Sequence, residues 1–239
     1  MKKPELLSPA GNLSKLKTAV LYGADAVYVG GEEFSLRASA GNFSLDKLAL
    51  GIEFAHNRGV RVYVACNTVA HEDELDRFSE YVKALRDMGA DAVIISDPGL
   101  IVLAKEHAPG LPIHLSTQAN TMNSQACRFW YEQGVSRIVL ARELSLSEVS
   151  NIRRAVPENL ELETFVHGAM CVSHSGRCLL SSVMTGRDAN RGDCAQPCRW
   201  RYALVEEKRP GQYFPICEDD SGTFILNSKD LCMIEHLPA

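Results

Sequence analysis

Four times before residue 142, an amphipathic stretch ends on glycine and gives way to a short apolar run: GADAVYVG from Gly23, GVRVYVAC from Gly59, GADAVIIS from Gly89 and GVSRIVLA from Gly134. Glycine suits the left-handed position that closes a helix. Short runs rich in β-branched residues predict parallel strands buried on both faces. The stretches between them predict helices with one apolar face, carried by Leu13, Leu16, Ala19 and Val20 in one and by Leu75, Phe78, Val82 and Leu85 in another. PELLSP near the N-terminus, LPIHLST from Leu111 and LETFVHG from Leu162 bring the predicted strands to seven, in β-α-β-α order with right-handed crossovers.

Seven βα units predict a (β/α)8 TIM-type barrel. The alternative, a doubly wound open sheet, lacks its phosphate-binding fingerprint, because Gly30–Gly31 does not have the G-x-G-x-x-G spacing. No eighth strand is evident, and the chain is expected to be truncated before it. The expected organisation is barrel units β1 to β7 over 1–168, a Cys-rich segment with an inserted β-hairpin over 169–227, and the start of the next barrel helix over 228–239. The hairpin is read from two extended runs around an acidic, Gly-containing turn in YALVEEKRPGQYFPICEDDSGTFILNS. Ser228 is the expected N-cap of the last helix.

A chain of 239 residues that is 46% hydrophobic and 23% charged fits an ordinary globular protein. Its longest apolar runs, such as AVIIS from Ala92, are strand-sized and predict no membrane span. Pro4, Glu5 and Pro9 interrupt any leader-like apolar run at the N-terminus, so the expected compartment is the cytoplasm. There, eight cysteines are not expected to form structural disulfides; a metal site or a catalytic thiol is the usual use of a cytosolic cysteine cluster.

Catalytic groups of such barrels stand at the C-terminal ends of the strands. Those ends read Ser8, Gly30, Asn67, Asp97, Gln118, Arg142 with Glu143, and His167. Taken singly, each is a loop residue or a helix cap; taken together, they predict a polar pocket on one rim, with Asn67, Asp97, Gln118, Glu143 and His167 as catalytic candidates. Arg37 and Arg142 are candidate clamps for a carboxylate or phosphate.

The segment HGAMCVSHSGRCLLSSVMTGRDANRGDCAQPCRW follows the seventh predicted strand and is delivered to this mouth. Its cysteines are spaced C-x6-C-x15-C-x3-C, and the chain has no C-x2-C hook of the kind zinc ribbons use. Iron–sulfur clusters tolerate irregular spacing. Iron–sulfur, zinc and inert thiols all stay open at this point, and Cys217 or Cys232 could replace one of the four. The net charge of −5 argues against a protein coated in nucleic acid, yet residues 177–209 carry seven basic against four acidic side chains. Arg177, Arg187, Arg191, Arg199 and Arg201 there could meet phosphate, or form a solvated loop. Peptidase motifs H-E-x-x-H and G-x-S-x-G are absent, and the spacing of Cys171 and His174 does not establish a dyad.

KPELLSPAGN, GADAVYVG, SDPGLI, IHLSTQAN, ARELSL, FVHGAMCVSHSGRCLLS, RDANRGDCAQPCRW, RPGQY and NSKDL together resemble the collagenase-like unassigned peptidase family, nearly end to end. The E-x-F-x-x-G-A-M-C-x6-C segment from Glu163 to Cys178 is the most specific part of the likeness. Members were first labelled proteases; better-understood ones act in hydroxylation without molecular oxygen, and many carry a 4Fe–4S cluster. The likeness is strongest to the branch acting in prephenate-dependent hydroxylation of the wobble uridine of tRNA, while other branches act on ribosomal RNA or a ubiquinone precursor. The resemblance implies a cluster on Cys171, Cys178, Cys194 and Cys198, with Cys217 as the alternative fourth ligand. It also implies tRNA as partner, prephenate or another small carboxylate as co-substrate, and a related family subunit as a hetero-oligomer partner. The family continues past HLPA into a strand bearing K-I-E-G-R, in line with the expected truncation.

Overall fold

Gly23, Gly59, Gly89 and Gly134 all adopt positive φ, ending four helices and turning the chain into the next strand. The aspartate of each GAD motif then serves the neighbouring strand: Asp25 Oδ2 accepts the Leu6 amide at 2.8 Å, and Asp91 Oδ2 accepts the Val62 amide at 2.7 Å. In the computed structural model, residues 3–36, 42–169, 171, 173–200, 202–205, 207–215, 230–233 and 235 are described.

The elements run β1 (Leu7–Pro9), α1 (Leu13–Leu21), β2 (Ala26–Gly30), α2 (Leu45–His56), β3 (Arg61–Cys66), α3 (Leu75–Asp87), β4 (Ala92–Ile95), α4 (Pro98–His107), β5 (Ile113–Leu115), α5 (Ser124–Glu132), β6 (Arg137–Val139), α6 (Leu146–Ala155) and β7 (Glu161–Glu163). The seven strands form one parallel sheet in sequence order. Caps seat the helices: Asn12 accepts the Lys15 amide, Asn123 accepts the Ala126 amide, and Ser145 with Glu148 forms a capping box. The predicted apolar faces are the observed ones, with Leu16, Val20, Phe78, Val82 and Leu85 buried against outward-facing strand residues such as Val27, Val64 and Ile95.

The inner face differs in character. Ala26, Tyr63, Ala92 and Ile94 make a small apolar cluster there. Beside it Arg137 donates to Glu5 at 2.7 Å and to Glu161 at 2.7 Å, with Glu163 at 3.5 Å. Glu5 also accepts from the Tyr63 hydroxyl at 3.0 Å and pairs with Arg61. His114 meets the Tyr63 ring edge-on at 4.6 Å. Burial first, then Arg137 and Arg61, push its pKa down to about 3, so the imidazole is neutral. Glu5 precedes β1 and Arg137 opens β6, so their contact closes the two ends of the sheet toward each other. The fold is a curled, TIM-like α/β half-barrel, and among the described residues the sheet has no eighth strand.

Beyond β7 the structure departs from the sequence pattern in three places. The predicted strand LETFVHG divides: β7 ends at Glu163, and His167–Ala169 forms a separate strand, β8. The segment then holds α7 (Leu180–Thr185) and a hairpin of β9 (Ala203–Val205) and β10 (Tyr213–Pro215). That hairpin turns through 207–212 (EKRPGQ), earlier than expected; the acidic stretch 218–220 lies outside the described residues. Finally, Asp230–Cys232 is a strand, β11, antiparallel to β8, where the start of a helix was predicted, and Ser228 lies outside the described residues. Backbone pairing with β8 outweighs the weak local helix pattern of so short a stretch.

Candidate functional site at the barrel mouth

Half of the predicted rim residues meet, and the meeting point is the turn between the first two cysteines. Asn67, just past β3, accepts the Leu36 amide at 3.2 Å and donates from Nδ2 to Gln118 Oε1 at 3.3 Å. Gln118 sits in the 3-10 turn Thr117–Ala119 after β5 and also accepts from the Ser116 hydroxyl. Glu143 clasps Ser175: Oε1 accepts its amide at 2.7 Å and Oε2 its hydroxyl at 3.3 Å. Ser175 is fully buried and left-handed (φ 49°), a conformation a non-glycine residue holds only when surroundings impose it. The next residue, Gly176, is left-handed too, and a Cβ there would press on the Arg142 guanidinium at 3.2 Å. Arg142 lies over the Phe165 ring at 5.9 Å, with its Nε buried and unpartnered among the described residues.

Burial pushes the Glu143 carboxyl up, but the Ser175 amide, its own amide, His174 and Arg142 together hold it below the ordinary range, so it is ionised near neutrality. Glu143→Ala should therefore strip a buried amide of its acceptor, at a cost of about 1–3 kcal/mol. Hydrogen exchange should then accelerate through residues 173–178 while the α1–β4 half of the sheet keeps its protection; unchanged exchange in the turn would mean the clasp holds nothing.

The other predicted rim residues do not join this group. Asp97 is the N-cap of α4, accepting the Gly99 amide at 2.8 Å and the Leu100 amide at 3.2 Å, so its carboxylate is committed to the helix. His167 lies in β8, opposite Cys232, rather than at the end of β7. Ser8 is within β1, and Gly30 ends β2 where a Cβ would collide with the Ser35 side chain.

Cys171, Cys178, Cys194 and Cys198 are all free thiols, partly or fully exposed. Each of the first three acts on Cys198, whose thiol is pushed up by burial first and then by Cys171 and Cys194, with Cys178 adding less and Arg199 opposing. The first three therefore lie within electrostatic reach of Cys198, although among the described residues no three His, Cys, Asp or Glu side chains stand together as a metal site. Two sulfurs already receive backbone donors: the Leu180 amide points at Cys178 Sγ and the Gln196 amide at Cys194 Sγ, both at 3.3 Å. Asn190 brackets Cys178 by accepting its amide at 3.1 Å and donating to its carbonyl at 3.0 Å. Four thiols with N–H···S donors suit a thiolate-ligated iron cluster, whose sulfurs such donors stabilise. Cys217 lies outside the described residues; Cys66 and Cys127 are buried core thiols, and Cys232 lies exposed in β11.

The arginines divide. Arg187 pairs with Asp193 at 2.8 Å, and Arg191 makes a two-pronged bond to Glu74 at 2.7 and 3.0 Å, so both have protein partners. Arg177 and Arg199 are exposed, while Arg37 and Arg201 lie outside the described residues. The Arg191–Glu74 pair ties the cysteine segment to the barrel rim. Arg191 is the main cause that takes the Glu74 carboxyl down to about 2, helped by the His71 amide against the opposing effect of burial. A depressed carboxylate contributes stability above its unfolded pKa and loses it as pH falls through the folded one. Docking of the segment should thus weaken between pH about 4.3 and pH about 2. Glu74→Gln should flatten that part of the unfolding profile measured by circular dichroism; an unaltered acid limb would place the transition on other carboxylates.

Sequence reasoning missed Ser175, Asn190 and Glu74. The signals were present in the Ser-Gly pair after His174 and in the turn-forming RDANRGD.

A half-barrel followed by a four-cysteine segment at its rim defines the class: a TIM-like α/β protein with a thiol-rich face. The chain belongs to peptidase family U32, whose family description matches residues 11–239. It is 46% identical over 237 residues to "tRNA hydroxylation protein P1" of Bacillus subtilis, covering 99% of this chain and 56% of that protein. It is 43% identical over 276 residues to "tRNA hydroxylation protein P" of Escherichia coli, covering 99% of this chain and 61% of that protein. A third relative, the E. coli "23S rRNA 5-hydroxycytidine C2501 synthase", is 41% identical over 204 residues, or 85% of this chain and 30% of that protein. The chain thus spans little more than half the length of the tRNA hydroxylation proteins it matches. The solved U32 peptidase Mk0906 shares the fold at TM-score 0.58 and 22% identity, covering 71% of this chain and 72% of that one.

Proposed function

We propose that this chain is the barrel part of an oxygen-independent RNA hydroxylase that carries a 4Fe–4S cluster on Cys171, Cys178, Cys194 and Cys198, and that its substrate is the wobble uridine of tRNA. The observation that carries the reading is a four-thiol segment clasped onto a polar barrel rim, in a chain 46% identical to a named tRNA hydroxylation protein. Replacing a C5–H bond of uridine by C5–OH is a two-electron oxidation, so it needs an oxygen donor and an electron acceptor. When bound, a cluster supplies redox chemistry beside the pocket. The residues of this chain do the rest. Glu143 fixes the turn that holds the first two cysteines, Arg142 sets a positive charge at the mouth for an anionic group, and Gln118 and Asn67 offer amides for hydrogen bonds.

Prephenate is the proposed co-substrate, a carboxylate suited to Arg142. A related family subunit is a proposed partner, and the cytoplasm the proposed compartment. Among the described residues no helix is long and apolar enough to cross a membrane. The rRNA-modifying relative favours a second reading, in which the base belongs to ribosomal RNA.

Mass spectrometry of nucleosides from a deletion strain tests this. The expected result is loss of tRNA 5-hydroxyuridine derivatives, restored by the gene, in a background without a redundant pathway. Intact tRNA with missing 5-hydroxycytidine in rRNA would move the activity to the ribosome. Intact nucleosides in both, with peptide cleavage abolished by Cys171→Ser, would return the protein to the proteases.

A further inference from the structure

The short helix α7 is apolar on the side where a surface helix is ordinarily polar. Its inner side is bound to the thiol segment: the Leu180 amide donates to Cys178 Sγ at 3.3 Å, and the buried Ser181 hydroxyl accepts the amide of Ala195, next to Cys194, at 3.0 Å. Its outer side, with the residue that precedes it, presents Leu179 and Val183, four positions apart and 70% and 81% exposed, together with Met184. The turn Pro197–Arg199 packs against α7, held by the Tyr202 hydroxyl, which donates to the Pro197 carbonyl at 2.6 Å and touches the Met184 sulfur at 3.6 Å. Trp200, a residue about half exposed, closes that turn two positions beyond Cys198.

Charge says what such a face meets. Arg177 stands two residues before Leu179 and Arg199 directly before Trp200 in the chain, both exposed, within a stretch of net positive charge in a chain whose overall charge is −5. An exposed indole and aliphatic knobs with arginines next to them in the chain match an unpaired nucleic-acid loop, in which bases offer apolar faces and phosphates offer anions. We propose that the outer face of α7 and the Trp200 indole form a base-stacking platform for an unpaired RNA loop, with Leu179 and Val183 filling the gap left when a nucleotide is turned toward the cysteines. This rests on the RNA reading above and adds the surface that performs it. Apolar side chains inserted where a base has left its stack are a general device of proteins that unstack nucleic acid.

The test uses the whole chain and a fluorescein-labelled anticodon stem–loop RNA, with a fully paired RNA of equal length as comparison. Anisotropy should show tighter binding to the stem–loop, weakened roughly tenfold in the Leu179→Ser/Val183→Ser double variant, the range expected for losing one stacked base. In a Trp130→Phe background, the remaining indole emission of Trp200 should be quenched by the stem–loop; this readout leaves the apolar face intact, so it stands even where the double variant fails to fold. Equal affinity of the double variant with unquenched Trp200 emission overturns the platform and leaves the RNA reading standing. No binding of either RNA by the unaltered protein removes the RNA reading and the platform with it. Unchanged RNA affinity alongside loss of a self-associated species in sedimentation also overturns it, and assigns the face to a second copy of the chain.

Discussion

Purified without oxygen, the protein should be brown, hold about four irons per chain and absorb broadly near roughly 400 nm, and Cys178→Ser should abolish all three. Cys178 is the decisive position because the fold has already prepared it. Its peptide group is bracketed by Asn190, its sulfur receives the Leu180 amide, and the clasped Ser175 turn stands three residues before it. A serine there keeps the backbone bonds but removes the soft thiolate that iron prefers. On the proposed function, RNA hydroxylation should fall by roughly a hundredfold or more, beyond the loss typical of an outer-shell partner. Cys66→Ser is the internal comparison: that thiol is fully buried in the core and pushed far up by burial, so iron content should be unchanged. The fourth ligand is decided by the pair Cys198→Ser and Cys217→Ser, since only the true ligand's loss should bleach the protein. A colourless preparation with one tightly held zinc would defeat the iron assignment altogether.

Much of the fold and part of the rim were legible in the sequence, and the reasons are physical. Parallel strands buried on both faces, closed by left-handed glycines, leave a mark that local pattern alone reveals, so all seven strands and the helix faces packed on them could be read. Asn67, Gln118, Arg142 and Glu143 were legible as a rim because the residue after each strand has a known address. Asp97 illustrates the limit: the same address serves a helix cap, and only the amides of Gly99 and Leu100 show which role applies. Past β7 the pattern failed, because three-residue strands such as β8 and β11 are fixed by partners more than sixty residues away in the chain. The interior charges were missed as well. His114, Arg137, Glu161 and Glu163 alternate with apolar residues in the strands, which is the signature of one apolar and one polar face, here turned inward.

Those inward charges underlie the largest stability effect expected of any substitution here. Arg137 is nearly fully buried, and it holds Glu5, Glu161 and Glu163 while lying over the Tyr63 ring at 5.1 Å. Arg137→Met keeps the side-chain bulk but leaves Glu163 in the interior without its cation and Glu5 with Arg61 alone. Removing one partner of a buried pair costs about 3–5 kcal/mol, several times a surface pair. Arg137→Lys should recover only part of this, since an ammonium cannot reach three carboxylates from one planar fork. The pH dependence gives the sign. Burial raises the Glu163 carboxyl even with Arg137 pulling it down, and without that pull it rises further. A carboxyl raised in the folded state favours folding below its unfolded pKa and penalises it as pH climbs through the folded value. The Arg137→Met defect should therefore be smallest below pH about 4.3 and grow toward neutrality, measured as urea unfolding across that range. Lys83→Met at the exposed Lys83–Glu80 pair is the comparison, expected within about 0.5 kcal/mol of the parent. Equal losses at the two positions, or a defect at Arg137 that ignores pH, would mean that the inner network carries no more than a surface pair and that the curl of the sheet rests on its apolar layer alone.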